Sequence, residues 1–222
     1  MPRIRAESVA EHVAQQQAAV FEAAMRLFLE RGYADVSLAD IAAEVGLARN
    51  SLYRYFPDKA HILVEWLRRE LPIQAARSRE RLTGDGPPPE RIKRWALDQL
   101  DYARRPEHGL IAALSDVARD LDEETRAELA DSHRRLLIPL TEALAGVGIE
   151  DDRDRSAVSA LIGGLIVSGA EHESRIGGDD PVLRAHLLRA VEALLGPERP
   201  GGRFARGDMA ARLLEGRTDE PR

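Results

Sequence analysis

Between Arg49 and Tyr55 the chain reads Arg-Asn-Ser-Leu-Tyr-Arg-Tyr, and six of these seven side chains can donate or accept hydrogen bonds. An arginine fork matches the exposed edge of guanine, an asparagine amide matches adenine, and hydroxyls reach phosphate oxygens. The chemistry on offer is therefore groove recognition in double-stranded DNA, with Arg49, Asn50, Ser51, Tyr53, Arg54 and Tyr55 as the reading set. A plain three-helix core with a polar outer face accounts for the same residues, and the segment alone leaves both readings open.

The elements that must position this set are legible on either side of it. Val20, Ala24, Leu27 and Phe28 share one face of a helix predicted over 11–32, which Gly32 ends. Ser37 and Asp40 have capping-box spacing at the start of a second, short helix. Its buried stripe is Leu38, Ile41, Ala42 and Val45; Gly46-Leu47 makes the turn, and a third helix runs through Leu52 to about Tyr55. Two short helices joined by a glycine-containing turn form a helix-turn-helix pattern. Ile41, Val45, Leu47, Leu52 and Phe56 supply a small core with the first helix, which leaves the polar set outside. Asp58 can cap a fourth helix through Leu63, Trp66 and Leu67, which Pro72 is expected to kink or end.

From about Ala18 to Leu67 the chain closely resembles the DNA-binding domain of the TetR (tetracycline-repressor-like) family. The resemblance rests on Leu27-Phe28 with Gly32-Tyr33, then Ile41-Ala42-Ala43-Glu44-Val45-Gly46-Leu47, then Leu52-Tyr53-Arg54-Tyr55-Phe56-Pro57-Asp58-Lys59, in that order and spacing. It implies that Ser37 and Lys59 hold phosphates on either side of the groove and that Arg49 and Asn50 meet base edges. Ser51, Tyr53 and Tyr55 are then expected at phosphates or base methyl groups, with Arg54 facing either. One position departs: Ala48 stands where the recognition helix often opens on Ser or Thr, so a side-chain cap is missing. The implied function is a dimeric repressor that binds a palindromic operator and is released by a small effector.

The bulk properties fit that expectation. The 222 residues carry a net charge of −6, but residues 1–81 hold 12 Lys+Arg against 11 Asp+Glu, so the acidity belongs to the rest of the chain. A neutral module still binds DNA when its cations share a face. No apolar run is long enough to span a membrane, the first residues lack an apolar signal region, and there is no cysteine, so a soluble cytoplasmic protein is expected. Glu107-His108 and Glu171-His172-Glu173 offer metal-binding atoms without diagnostic spacing, and neither metal nor cofactor is expected.

The chain as a whole predicts an all-α fold: a head over 1–71 that includes the first turns of the linking fourth helix, a ligand-binding and dimerisation domain over 72–196, and a tail over 197–222. Thr83 to Pro89 reads as a linker. Further helices are predicted at 89–105, 107–120, 122–145 and 151–174, with a last one opening at Asp180-Pro181 and ending at Gly196. In the 151–174 helix a broad apolar surface is interrupted by Gly163, Gly164 and Gly169, which suggests close helix approach. Leu161, Gly164 and Leu165, with Leu183, Leu187, Val191 and Leu194 of the last helix, are the expected two-fold interface; the plainer reading makes them internal core.

Three polar residues, Gln99, His133 and His172, interrupt apolar stripes. With Trp95, Tyr102 and Ser168 they are the candidate lining of a largely apolar pocket for a small apolar or amphipathic effector. Satisfied core or rim residues are the plainer account of each. A regulator gated by a protein or by its own tail is a second possibility. A small all-helical enzyme using His108, His133 or His172 is a third, but no nucleophile elbow, phosphate loop or positioned base supports it.

Overall fold

A computed structural model describes residues 2–196, and every regular element among them is helical. The elements are α1 (Pro2–Arg31), α2 (Leu38–Glu44), α3 (Arg49–Leu52), α4 (Lys59–Thr83), α5 (Pro88–Ala103), α6 (Gly109–Val117), α7 (Glu123–Gly146), α8 (Asp152–Ile176) and α9 (Pro181–Leu195). Single 3₁₀ turns, Pro106–His108 and Ala118–Asp120, flank α6 and break the continuous 107–120 helix read from the sequence. Aspartates cap α4, α7, α8 and α9, where Asp58, Asp122, Asp151 and Asp180 accept backbone N–H groups of the first turn. The tail, with the short docking helix considered around Met209, Leu213 and Leu214, lies outside the described residues.

Two apolar cores form. The first joins α1 to α4 through Val20, Leu27, Phe28, Ile41, Leu52, Phe56 and Leu63, and it also takes in Leu110, Leu114 and Leu121 from α6 and the segment after it. The second unites α5, α7, α8 and α9 through Ile92, Leu100, Leu140, Leu144, Ile162 and Val191, and it includes Leu82 at the far end of α4. Helix α4 therefore contributes to both cores. Pro72 does not end it: the helix continues to Thr83. The residue itself is exposed.

Candidate nucleic-acid interface

The reading head is built as the residue pattern predicts. Ser37 is the N-cap of α2: its hydroxyl oxygen accepts the Asp40 N–H at 3.2 Å, while the Asp40 carboxylate accepts the Ser37 N–H at 2.8 Å. The Ser37 hydroxyl also donates to that carboxylate, and this bond first, then the one from the Ser37 N–H, holds the Asp40 carboxyl below the usual carboxylate range. The α2–α3 turn closes on Gly46, whose φ of +68° lies in the left-handed region that a side chain disfavours. An Arg26–Glu44 ion pair at 2.5 Å ties α2 to α1.

Helix α3 is a single turn. Ala48 stands at its N-cap in an extended conformation and makes no side-chain capping bond, as its methyl group requires. The chain keeps turning beyond Leu52, with Tyr55 N–H on the Leu52 carbonyl at 2.9 Å and Phe56 N–H on the same oxygen at 3.1 Å. Leu52 and Phe56 anchor the segment in the core. Arg49, Asn50, Tyr53 and Arg54 are exposed, and Ser51 is half-buried. Tyr55 is half-buried as well, and its side chain packs against the head core, so part of this expected reader supports the recognition segment from behind.

Lys59 has partners within its own chain. Its ammonium donates to the Tyr33 carbonyl at 2.7 Å and the Val36 carbonyl at 2.6 Å, and it sits 4.3 Å from the centre of the Tyr33 ring. Burial pushes its pKa down, opposed by Asp35 and Asp40. Two of three N–H donors thus clamp the α1–α2 loop that presents Ser37, where the family resemblance implied a phosphate ligand. Tyr33, which sequence reasoning passed over, packs at 5.1 Å from Phe28, and burial and the Asp58 charge raise its pKa to about 12. A tyrosine just past a helix stop carries no signal that it will stack under a lysine 26 positions later.

The expected effector residues separate into groups. Trp95, Gln99 and Tyr102 meet in a cleft of about 710 Å³ between α4 and α5. Trp95 is 7% exposed, and its indole N–H donates to Ser78 Oγ at 3.1 Å. Burial and the charge and hydrogen bond of Glu70 push the Tyr102 pKa up. The walls are charged rather than apolar, with Arg77, Glu80, Arg81, Arg94, Asp98 and Arg105 around the three. Ser168 is not among them; it is exposed on α8. His172 is also elsewhere, with Nε2 3.1 Å from Asp180 Oδ2 at the α8–α9 turn. The side chain of His133 lies outside the described set.

The expected dimer residues divide too. Leu161 is 55% exposed and Leu165 38%, and Gly164 is exposed beside them. Leu187 and Val191 are buried within the second core of their own chain, and Leu183 and Leu194 pack against it. The α9 stripe is internal because it meets α5 and α8 directly. Of the three α8 glycines only Gly169 marks a close approach: a Cβ there would stand 3.0 Å from Leu100 and 3.3 Å from Leu183, whereas one at Gly163 or Gly164 meets nothing within 4 Å.

Glu173 emerges from the 171–173 acidic-histidine run in an unforeseen role. Its side chain is fully buried, takes both arms of Arg184 at 2.8 Å, and accepts the Asp180 N–H at 2.9 Å. Arg104 of α5 adds a contact at 3.0 Å. Its pKa falls below the ordinary value, first through the Arg184 hydrogen bonds.

Comparison with known proteins accords with the head's geometry. Residues 20–66 match the sequence model of "Bacterial regulatory proteins, tetR family". The chain is 33% identical over 204 residues to the HTH-type transcriptional repressor KstR of Mycolicibacterium smegmatis, spanning 91% of this chain and 88% of that protein. It is 30% identical over 179 residues to the repressor KstR of Rhodococcus jostii, spanning 80% and 81%. A TetR-family transcriptional regulator from Pectobacterium atrosepticum shares its fold with a TM-score of 0.59 at 24% identity, over 87% of this chain and 98% of that one. The exposed polar face of a helix-turn-helix, on a chain related over most of its length to DNA-binding repressors, assigns it: the protein belongs to the tetR family of bacterial regulatory proteins and is a DNA-binding transcriptional repressor.

Proposed function

We propose that the repressor works as a homodimer whose two α3 segments enter successive major grooves of a palindromic operator, and that a small effector in the α4–α5 cleft releases it. The observation that carries the DNA reading is the division of one short segment: Leu52 and Phe56 are locked in the core while Arg49, Asn50, Tyr53 and Arg54 stand outside. Arg49 and Asn50 are assigned to base edges, Tyr53 and Arg54 to phosphate or base methyl groups, and Ser37 and Ser51 to phosphates.

The cleft is a suitable effector site because its two walls lead to the head by different routes. Helix α4 spans both cores. Helix α5 passes through Tyr102 and Arg105 into the 3₁₀ turn and then α6, whose Leu110 and Leu114 sit in the head core. A molecule that favours one separation of α4 and α5 therefore favours one placement of the head. The charged walls suit a polar or amphipathic effector, where the sequence alone led to an apolar or amphipathic one. Anisotropy of a labelled operator tests both halves. Arg49→Ala should weaken binding by about ten- to a hundredfold, and charged metabolites that release the wild type should fail on Gln99→Leu. Undiminished DNA binding by the first variant, or full release of the second, would contradict the assignments.

A further inference from the structure

We propose that the half-open crevice between α7 and α8 is a docking site for this chain's own segment Asp208–Gly216, which follows α9. The crevice encloses about 590 Å³, with Leu137, Ala145, Ala160 and Gly163 along its wall and Glu142 and Asp152 among its charged residues. It lies on other elements than the α4–α5 cleft, and its occupation by the tail rests on neither the effector reading nor the homodimer.

The crevice joins an open apolar surface to an acidic border. Leu137 is 37% exposed, and Ile138 beside it on α7 and Leu161 beside Ala160 on α8 are exposed as well. A Cβ built at Gly163 meets nothing within 4 Å, so the floor has room for a side chain from outside. Between 142 and 155 the chain carries five carboxylates, Glu142, Glu150, Asp151, Asp152 and Asp154, against Arg153 and Arg155. Asp151 is committed to the α8 cap and Asp152 to Arg155. Glu142 is exposed and takes part in no ion pair among the described residues.

Residues 197–222 include a segment of matching character. Asp208 is of the N-cap type, Met209, Ala210, Leu213 and Leu214 have the spacing of one helix face, and Gly216 is of the type that ends a helix. Over 203–214, Arg203, Arg206 and Arg212 outnumber Asp208. An apolar stripe with basic flanks fits an apolar groove with an acidic border. The fold also delivers it to the right level. The Glu173–Arg184 ion pair fastens α9 back against α8, and the 15 residues of α9 retrace about 22 Å of that helix. Leu195 joins the second core with Val158 and Ile162 of α8, so the chain leaves α9 about level with the crevice. Residues 197–207 can span up to about 36 Å, more than the roughly 10 Å width of the helix they must cross.

Disulfide trapping in the full-length chain tests the docking, because the sequence has no cysteine of its own. Ala160→Cys with Ala210→Cys should close an intramolecular disulfide in dilute oxidising solution, about tenfold or more faster than Arg189→Cys with Ala210→Cys. Arg189 is exposed on α9 and lies nearer the root of the tail, so tethering alone favours this control. Adding Met209→Asp and Leu214→Asp should bring the first pair down to the control rate, and Glu142→Lys should slow it severalfold at low salt. The proposal is overturned if the two pairs oxidise at the same rate, or if the first pair's rate survives either set of added substitutions. It is likewise overturned if that disulfide joins two chains, which would place the segment on a second copy.

Discussion

At the scale of single residues, the head shows how position in the fold redistributes roles that residue type suggests. Arg49 and Asn50 are exposed on the single turn of α3. Lys59, equally cationic, is turned inward to the Tyr33 and Val36 carbonyls. Residue type made both plausible phosphate or base ligands; only the path of the 33–36 loop tells them apart. The two make different predictions. Lys59→Met should lower head stability by about 1–3 kcal/mol, the scale of losing charge-assisted hydrogen bonds and stranding their acceptors, as read by thermal unfolding. A Lys59 acting chiefly on phosphate would instead leave stability intact and reduce the salt dependence of DNA binding by about one ion.

At the scale of elements, α8 does three things with three faces. Val158, Ile162 and Ile166 face its own core, Leu161, Gly164 and Leu165 face outward, and Glu173 fastens its last turns to α5 and α9. Gly164→Leu is a selective probe of the outward face, since the added side chain has open space in the protomer and improves helix propensity by about 1 kcal/mol. The chain should stay folded and become monomeric by light scattering; an unperturbed dimer would move the interface elsewhere. The helical period of this element was legible; its Asp151 cap and left-handed Gly177 stop, which follow local rules, are shown by the structure. The α9 stripe was not, because Leu187 and Val191 look the same whether the apolar surface they meet belongs to their own α5 and α8 or to another copy. Of the two outcomes expected at Pro72, an end to the helix did not occur: α4 runs on to Thr83. Gln99, Trp95 and Tyr102, three of the six residues expected to line one pocket, share a cleft, and the charge around them comes both from their α5 neighbours Arg94, Asp98 and Asp101 and from Arg77, Glu80 and Arg81 of α4.

At the scale of the whole molecule, two cores share α4, and α6 returns from the second body of the chain to pack in the first. The Glu173 cluster keeps the second core together at the α8–α9 turn. Because the folded pKa of Glu173 is depressed from the ordinary 4.5, its contribution is full above that value and is lost as the pH falls through the depressed one. Glu173→Gln should cost about 3 kcal/mol near neutrality, the scale of breaking a buried ion pair, and should flatten the acid side of the stability profile. An unaltered acid limb would show that the cluster does not govern acid unfolding. The central claim, that α3 reads DNA from a two-fold dimer, is tested most directly by selecting bound sites from random duplexes with wild type and Arg49→Ala in parallel. Wild type should recover an inverted repeat with half-sites about one helical turn apart or a multiple of it, and Arg49→Ala should lose preference at one symmetric pair of positions. An enriched sequence without two-fold symmetry, or the same sequence recovered by both proteins, would contradict the account.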